Sequence, residues 1–320
     1  MRTHLLLPVA ALLLSGCLKE ELPVEARPRG SAEQVQLCMG SGYQDQLWVD
    51  LGTRTVVRSN PKTAWDLAFE SAPGGWRVWL NGSRLMTAWD IGVVDMSTPT
   101  DTTGMALARR IDAPSGNPDS TAIGDWRGTQ HVHIIDLGYN AFGTHMGLRK
   151  LLMLDVTATT FVFRTAALDG SGVQEHTLAK SGSSAHTMFS FANGPVDVEP
   201  PTGTWDMVFT QYTHQFLDPF IPYIVTGVLT PSGVRVARVA GADLNAVTLA
   251  DTLQHPFSTA RDAIGFDWKV YSFDGGYYVV DPSLVYIVQD QQGLFHKLHF
   301  LDFYNDQGIV GCPTWEVQEL

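Results

Sequence analysis

From Gln36 onward the chain is a succession of short apolar runs separated by turn residues. LWVDLGT (47–53), WRVWLNG (76–82), HVHIIDLG (131–138), TTFVFRTA (159–166), YIVTGVLT (223–230), LVYIVQD (284–290) and FHKLHFLDFY (295–304) are rich in β-branched and aromatic residues. Such runs form strands, because these side chains pack well on a pleated surface. Between them stand NGS, DGSG, SGSS, TPSG, FDGG, DQQG and NDQG, which read as hairpin turns or loops. Helical periodicity is weak; residues 240–253 predict one short helix and 260–264 a turn. The fold class expected is therefore all-β, built of antiparallel sheets.

One pattern occurs twice. TAWDLAFE (63–70) and TWDMVFTQYTHQF (204–216) both place Trp-Asp before an apolar run. Side chains alternate faces along a strand, so Trp65, Leu67 and Phe69 are expected on one face and Asp66 on the other. The same parity holds for Trp205, Met207 and Phe209 against Asp206. An internal repeat is expected over about 43–128 and 190–320, as two related sheets or two halves of one fold. Residues 95–128, rich in Ser, Thr, Pro and Gly, predict a long surface excursion.

The N-terminus changes the picture from a bare fold to an address. MRTHLLLPVAALLLSGC carries a weakly positive head and a ten-residue apolar run, too short to span a bilayer. It ends in Leu-Ser-Gly-Cys and resembles a bacterial lipobox. Residues 1–16 are expected to be a lipoprotein signal peptide and Cys17 the lipidated residue, anchoring the chain at the outer membrane. Residues 17–35 read as a flexible tether, followed by one β domain over 36–320. Cys38 and Cys312 remain; in an exported protein they form a disulfide candidate, the other reading being two free thiols.

Composition narrows the partners. The 320 residues are 44% hydrophobic and 17% charged, enough for a core and too few charges for disorder. The formal charge is −12, which repels phosphate backbones and argues against nucleic acid. There is no HExxH, GxSxG, P-loop or Rossmann glycine pattern, and no enzyme activity is expected.

TAWDLAFE with RVWLNG, WDMVFTQYT with PYIVTGVLT, and above all residues 264–311 (IGFDWKVYSF, then YYVVDPSLVYIVQDQQGLFHKLHFLDFYNDQGIVG) resemble the HmuY-like haem-binding lipoproteins, long form. The resemblance implies an all-β surface lipoprotein that binds haem b for iron acquisition, taken as free haem or from host haemoproteins. It implies a TonB-dependent receptor as partner and two axial His or Met ligands supplied from loops. Compact members place a ligand His after the Trp of a DWK-like strand, but residues 268–276 (WKVYSFDGG) contain no His or Met.

Other candidates must then be weighed, since haem iron takes imidazole nitrogen or thioether sulfur. His214 follows an alternating run and is expected at a strand end beside a loop. His145 and Met146 (GTHMG) sit between glycines in a loop, and His186 lies close to Met188 (SSAHTMF). His131 and His133 (HVH) share a strand face and also fit an H-x-H metal pair. His296 and His299 read as structural. The alternative to haem capture is a surface interaction or adhesion module with the same fold and an exposed aromatic patch.

Overall fold

LWVD, LAFE and MVFT are apolar on both parities, so these strands need cover on both faces. The computed structural model, which describes residues 29–320, supplies that cover as a stack of four antiparallel layers. Cys17 and residues 1–16, expected from the sequence to be a lipoprotein signal peptide, lie outside the described residues. One inner sheet has the order Phe220–Leu229, Met207–Leu217, Asp45–Asp50, Thr55–Pro61. The other has the order Val78–Leu80, Leu67–Glu70, His186–Ser190, Gly194–Val196.

Each inner sheet has its own outer sheet. Leu47, Val49, Met207 and Phe209 pack on Val288, Leu298, Phe300 and Trp315 of the outer sheet formed by Arg235–Val239, Val285–Gln289, Phe295–Tyr304, Val310–Glu319 and Glu33–Gln36. Leu67, Phe69 and Phe189 pack on Ile135, Leu151, Phe161 and Phe163 of the outer meander Thr87–Asp90, Val132–Asp136, Leu148–Val156, Thr160–Ala166 and Gln174–Ala179. The opposite parity (Trp48, Val208, Ala68, Met188) meets in a third core between the inner sheets. Two indole N–H groups buried there are satisfied: Trp65 Nε1 donates to Gln46 Oε1 at 2.9 Å and Trp48 Nε1 to Asn60 Oδ1 at 2.7 Å.

The expected parity of the Trp-Asp segments is corrected. Trp65 and Trp205 lie in the middle core with Ala68 and Val208, not with Leu67 or Met207. Both strands begin one residue after the Asp, and the chain bends at the Trp-Asp step, so strand alternation does not reach back to the Trp. The two bends are built alike. Asp66 N donates to Phe189 O (2.8 Å) and its carboxylate accepts from Phe191 N (2.7 Å). Asp206 N donates to Val49 O (2.8 Å) and its carboxylate accepts from Leu51 N (3.0 Å).

The two halves share one topology, a four-stranded inner sheet under a five-stranded outer one. The first half runs on to Val196, beyond 128, because the strands from Leu148 to Ala179 supply its outer sheet. The second half lacks three strands at the C-terminus, and Glu33–Gln36, Asp45–Asp50 and Thr55–Pro61 complete it from the N-terminus. The Cys38 and Cys312 sulfurs lie at bonding distance across that closure, 2.12 Å apart. Residues 240–253 form two 3-10 turns, Leu244–Ala246 and Leu249–Leu253, rather than an α-helix. The excursion at 95–128 is anchored, with Ala122, Ile123 and Trp126 in the first-half core.

Beside the second half a hairpin, Lys269–Ser272 with Tyr277–Val280, leaves the stack. Lys269 is buried, donates to Thr226 O, and lies 4.2 Å from the Trp268 ring and 4.5 Å from Phe303. Burial pushes its ammonium down to about 7.

Two predictions follow from this architecture. The double substitution Cys38→Ser/Cys312→Ser should lower stability by about 2–5 kcal/mol. Urea unfolding checks this: reductant should destabilise the wild type and leave the double variant unchanged. Secondly, between pH 7 and about 10 the unfolded chain still holds the Lys269 proton that the folded chain has released, so stability should rise with pH. The Tyr286 phenol, pushed up to about 12 by burial, opposes that trend only above the ordinary tyrosine range. The urea midpoint should climb from pH 7 to 9 in the wild type and climb less in Lys269→Met.

Candidate functional site

Where the inner strands of the first half run out, their last side chains leave both cores and line an open cleft of about 1040 Å³. Trp79 and Trp205 form apolar walls, and the 181–185 loop, the 115–118 segment of the excursion and Pro231–Gly233 form its rim. The volume is at the upper end of the roughly 300–1,000 Å³ usual for small-molecule sites. A smaller space of about 90 Å³ reaches inward between the two inner sheets, sharing Trp79, His186, Glu199 and Arg261 with the cleft.

His186 opens the strand His186–Ser190 and pairs with Glu70 of Leu67–Glu70. Its backbone N donates to Glu199 Oε2 at 2.7 Å, and its ring Nδ1 stands 3.1 Å from Glu199 Oε1. Glu199 is buried, 5% exposed, so its carboxylate is held in place while the imidazole is partly open. With Nδ1–H donated to the carboxylate, Nε2 carries the lone pair. Nε2 makes no hydrogen bond to the described residues. The ring stands edge-on to Trp79, 5.0 Å between centroids at 82°.

Cations and carboxylates share the same walls. Lys180 is saturated by carbonyls, donating to Ala72 O at 2.8 Å and Gly75 O at 2.6 Å. Arg77 is taken up by Pro118 O, Asp119 and Glu70. Arg261 differs: its guanidinium makes no hydrogen bond among the described residues, although it is half-buried and lines both spaces. Burial lowers its pKa, opposed by the charges of Glu199 and Asp112. Gly116, at φ +71°, lets Arg261 lie against the backbone; a Cβ there would come within 2.4 Å of Arg261 Cδ. Asp112 accepts from Leu80 N (2.6 Å) and Ala122 N (2.7 Å), and burial pushes its carboxyl up to about 6. The cleft therefore offers one bare imidazole nitrogen, an indole wall and one cation with unused donors.

The other sequence candidates lie elsewhere. His214 is inside the long strand Met207–Leu217 rather than at its end, because that strand pairs with Phe220–Leu229 to its last residue. Its ring is wedged edge-on against Phe216 and Phe266, 4.9 Å from each, and its Nδ1 is buried without a partner. His145 is an exposed loop residue whose Nε2 lies 2.8 Å from Asp136, with Met146 40% exposed beside it. His131 and His133 are not a matched strand pair, since the strand starts at Val132. His131 is tied to Asp90 at 2.8 Å, while His133 is 2% exposed and burial lowers its pKa. His296 is buried against Asp290 at 2.8 Å, and His299 bonds Pro282 O at 2.7 Å. No group of three or more His, Cys, Asp or Glu side chains is placed to hold a metal ion among the described residues. Nor is any helix among them long and apolar enough to cross a membrane.

Glu199, Trp79 and Arg261 were not singled out from the sequence. Glu199 lies in the polar break GPVDVEPPTG and Arg261 in the expected turn, and no spacing rule links either to His186.

Among solved structures, the chain resembles apo PinO from Porphyromonas gingivitis at 10% identity and a TM-score of 0.36, covering 91% of this chain and 98% of that one. It also resembles the apo HmuY analogue TFO from Tannerella forsythia at 9% identity and a TM-score of 0.31, covering 92% and 98%. No curated protein matches it. The family model described as HmuY protein matches residues 42–317, nearly the whole of the described stack, and on that match the chain belongs to the HmuY family.

Proposed function

We propose that this protein binds haem in the cleft beside His186 and serves haem or iron acquisition as a lipid-anchored protein of the outer membrane. One observation carries the reading: a carboxylate-oriented imidazole whose Nε2 makes no hydrogen bond to the described residues lines a cleft of about 1040 Å³, together with an unbonded guanidinium. In this assignment Nε2 of His186 ligates iron, and Glu199 fixes the tautomer and raises the ligand's basicity. Trp79, partly exposed, offers flat apolar surface to a macrocycle, and Arg261 offers donors to its carboxylates. Cys17 would carry the lipid, haem or host haemoproteins would be the source, and a TonB-dependent receptor the recipient.

A second reading, an interaction module on the same fold, is favoured by one feature. The hairpin Met207–Leu217/Phe220–Leu229 and its neighbour leave Leu217 79%, Phe220 77% and Phe273 90% exposed. Apolar side chains so placed suit contact with another protein.

Haemin titration followed in the Soret band decides between them. The wild type should show a saturable shift that His186→Ala abolishes, and Glu199→Gln should weaken binding by roughly 10–100-fold. His214→Ala and His145→Ala should leave it unchanged. A wild-type protein that gives no saturable shift in either redox state overturns the haem reading.

A further inference from the structure

We infer that the cleft supplies iron with a single protein ligand, His186, and leaves the opposite axial position open to an exogenous small ligand. This rests on the haem reading above and departs from the two-ligand expectation drawn from the sequence.

The inference comes from an inventory of what faces the cleft. Among its described lining residues, His186 is the one histidine, and there is no methionine, cysteine or tyrosine. Met188, two residues along the same strand, is 4% exposed and belongs to the core between the inner sheets. Donors two apart on one strand approach from the same side and cannot hold opposite faces of a flat ring. Lys180 is already committed to three backbone carbonyls. Glu199 is committed to His186, and Glu70 Oε2 accepts from Trp76 N at 3.0 Å and Arg77 N at 3.2 Å. The remaining polar residues on the walls are mainly Ser and Thr, with Gln291, which are weak ligands for haem iron beside imidazole or thioether. Gln291 Nε2 in any case donates to Trp205 O at 2.7 Å. The other candidates, His214, His145, Met146, His131 and His133, do not line this space.

Were haem held here by His186, no other side chain of the cleft would compete for the iron, and water or a small neutral or anionic ligand could bind it as well. Such a site exchanges ligands rather than locking the iron between two side chains. It can also pass the ring on after breaking only one protein–iron bond.

The haemin-loaded full-length protein tests this by optical and electron paramagnetic resonance spectroscopy. The ferric form should be high-spin. Imidazole or cyanide should convert it fully and saturably to low-spin, and carbon monoxide should bind completely on reduction. His186→Gly should lose the Soret shift, and added imidazole should restore it by entering the vacated ligand position. A ferric spectrum that is low-spin without additive, or one that imidazole does not change, overturns the single-ligand assignment while leaving haem binding standing. Absence of any saturable haemin binding in the wild type overturns the haem reading, and the inference with it. Circular dichroism of His186→Gly should match the wild type, so a lost shift reports the ligand and not the fold.

Discussion

A strand buried on both faces cannot hand its first backbone groups to water, and this constraint shapes the whole stack. An unpaired buried N–H costs about 1–3 kcal/mol. At the entry of each central strand an aspartate carboxylate takes the neighbouring strand's next free N–H, Phe191 for Asp66 and Leu51 for Asp206. The burial of each charge is compensated differently. Asp66 is paired with the fully buried Arg84, which in turn bonds the Trp65 carbonyl. Asp206 has no guanidinium; Gln291 N approaches it at 3.4 Å and Asp290 lies nearby, so burial and that like charge push its carboxyl above the usual range. Removing either carboxylate would expose the same backbone, but only Asp66 would also strand a buried cation.

The same constraint explains why the chain closes on itself. The second half would leave its inner sheet two strands short and its outer sheet open at the Val310–Glu319 edge if it used only C-terminal sequence. Glu33–Gln36 covers that edge, pairing Glu33 with Val317 and Gln36 with Thr314. Asp45–Asp50 then fills the inner sheet beside Met207–Phe209. Edge strands invite unwanted pairing, and the disulfide ties the covering segment to the strand it covers. Residues 33–35, read from the sequence as the end of a tether, are therefore part of the sheet, and the Gly30 carbonyl just before them accepts from Gln318.

Much of this was legible in residue order, and the reasons for the rest are physical. Alternation and turn residues gave an all-β chain, and the doubled Trp-Asp marked the two central strands. Parity failed at Trp65 and Trp205 because a bend interrupts the strand just there, and one-letter spacing does not record a bend. The pairing of Asp45–Asp50 with Met207–Phe209 is long-range and leaves no local trace. The site was legible only at His186, which drew notice with Met188. Its carboxylate partner Glu199 and its cationic neighbour Arg261 are brought there by tertiary packing, not by periodicity. His214 attracted more attention because it ends a visible alternation, yet the hairpin carries pairing past it to Leu217 and the aromatic rings around it leave it wedged.

The two halves differ at one matching position, and in the first half that position lines the cleft. Phe189 and Val49 occupy matching positions, each accepting from the Asp of its Trp-Asp step. Met188 and Trp48 then match in the middle core, and three residues before Phe189 and Val49 stand His186 and Gln46. Gln46 is 4% exposed and bonded through both amide atoms: Nε2 donates to Thr210, and Oε1 accepts from Trp65 and Asn60. That network lines the small inner space with groups already hydrogen-bonded to one another. In the first half the matching side chain is an imidazole bonded on one side only, and the wall beside it is an exposed loop of serines and glycine at 181–184. A position tied into a hydrogen-bond network in one half thus carries, in the other, a cleft-lining imidazole bonded on one side only.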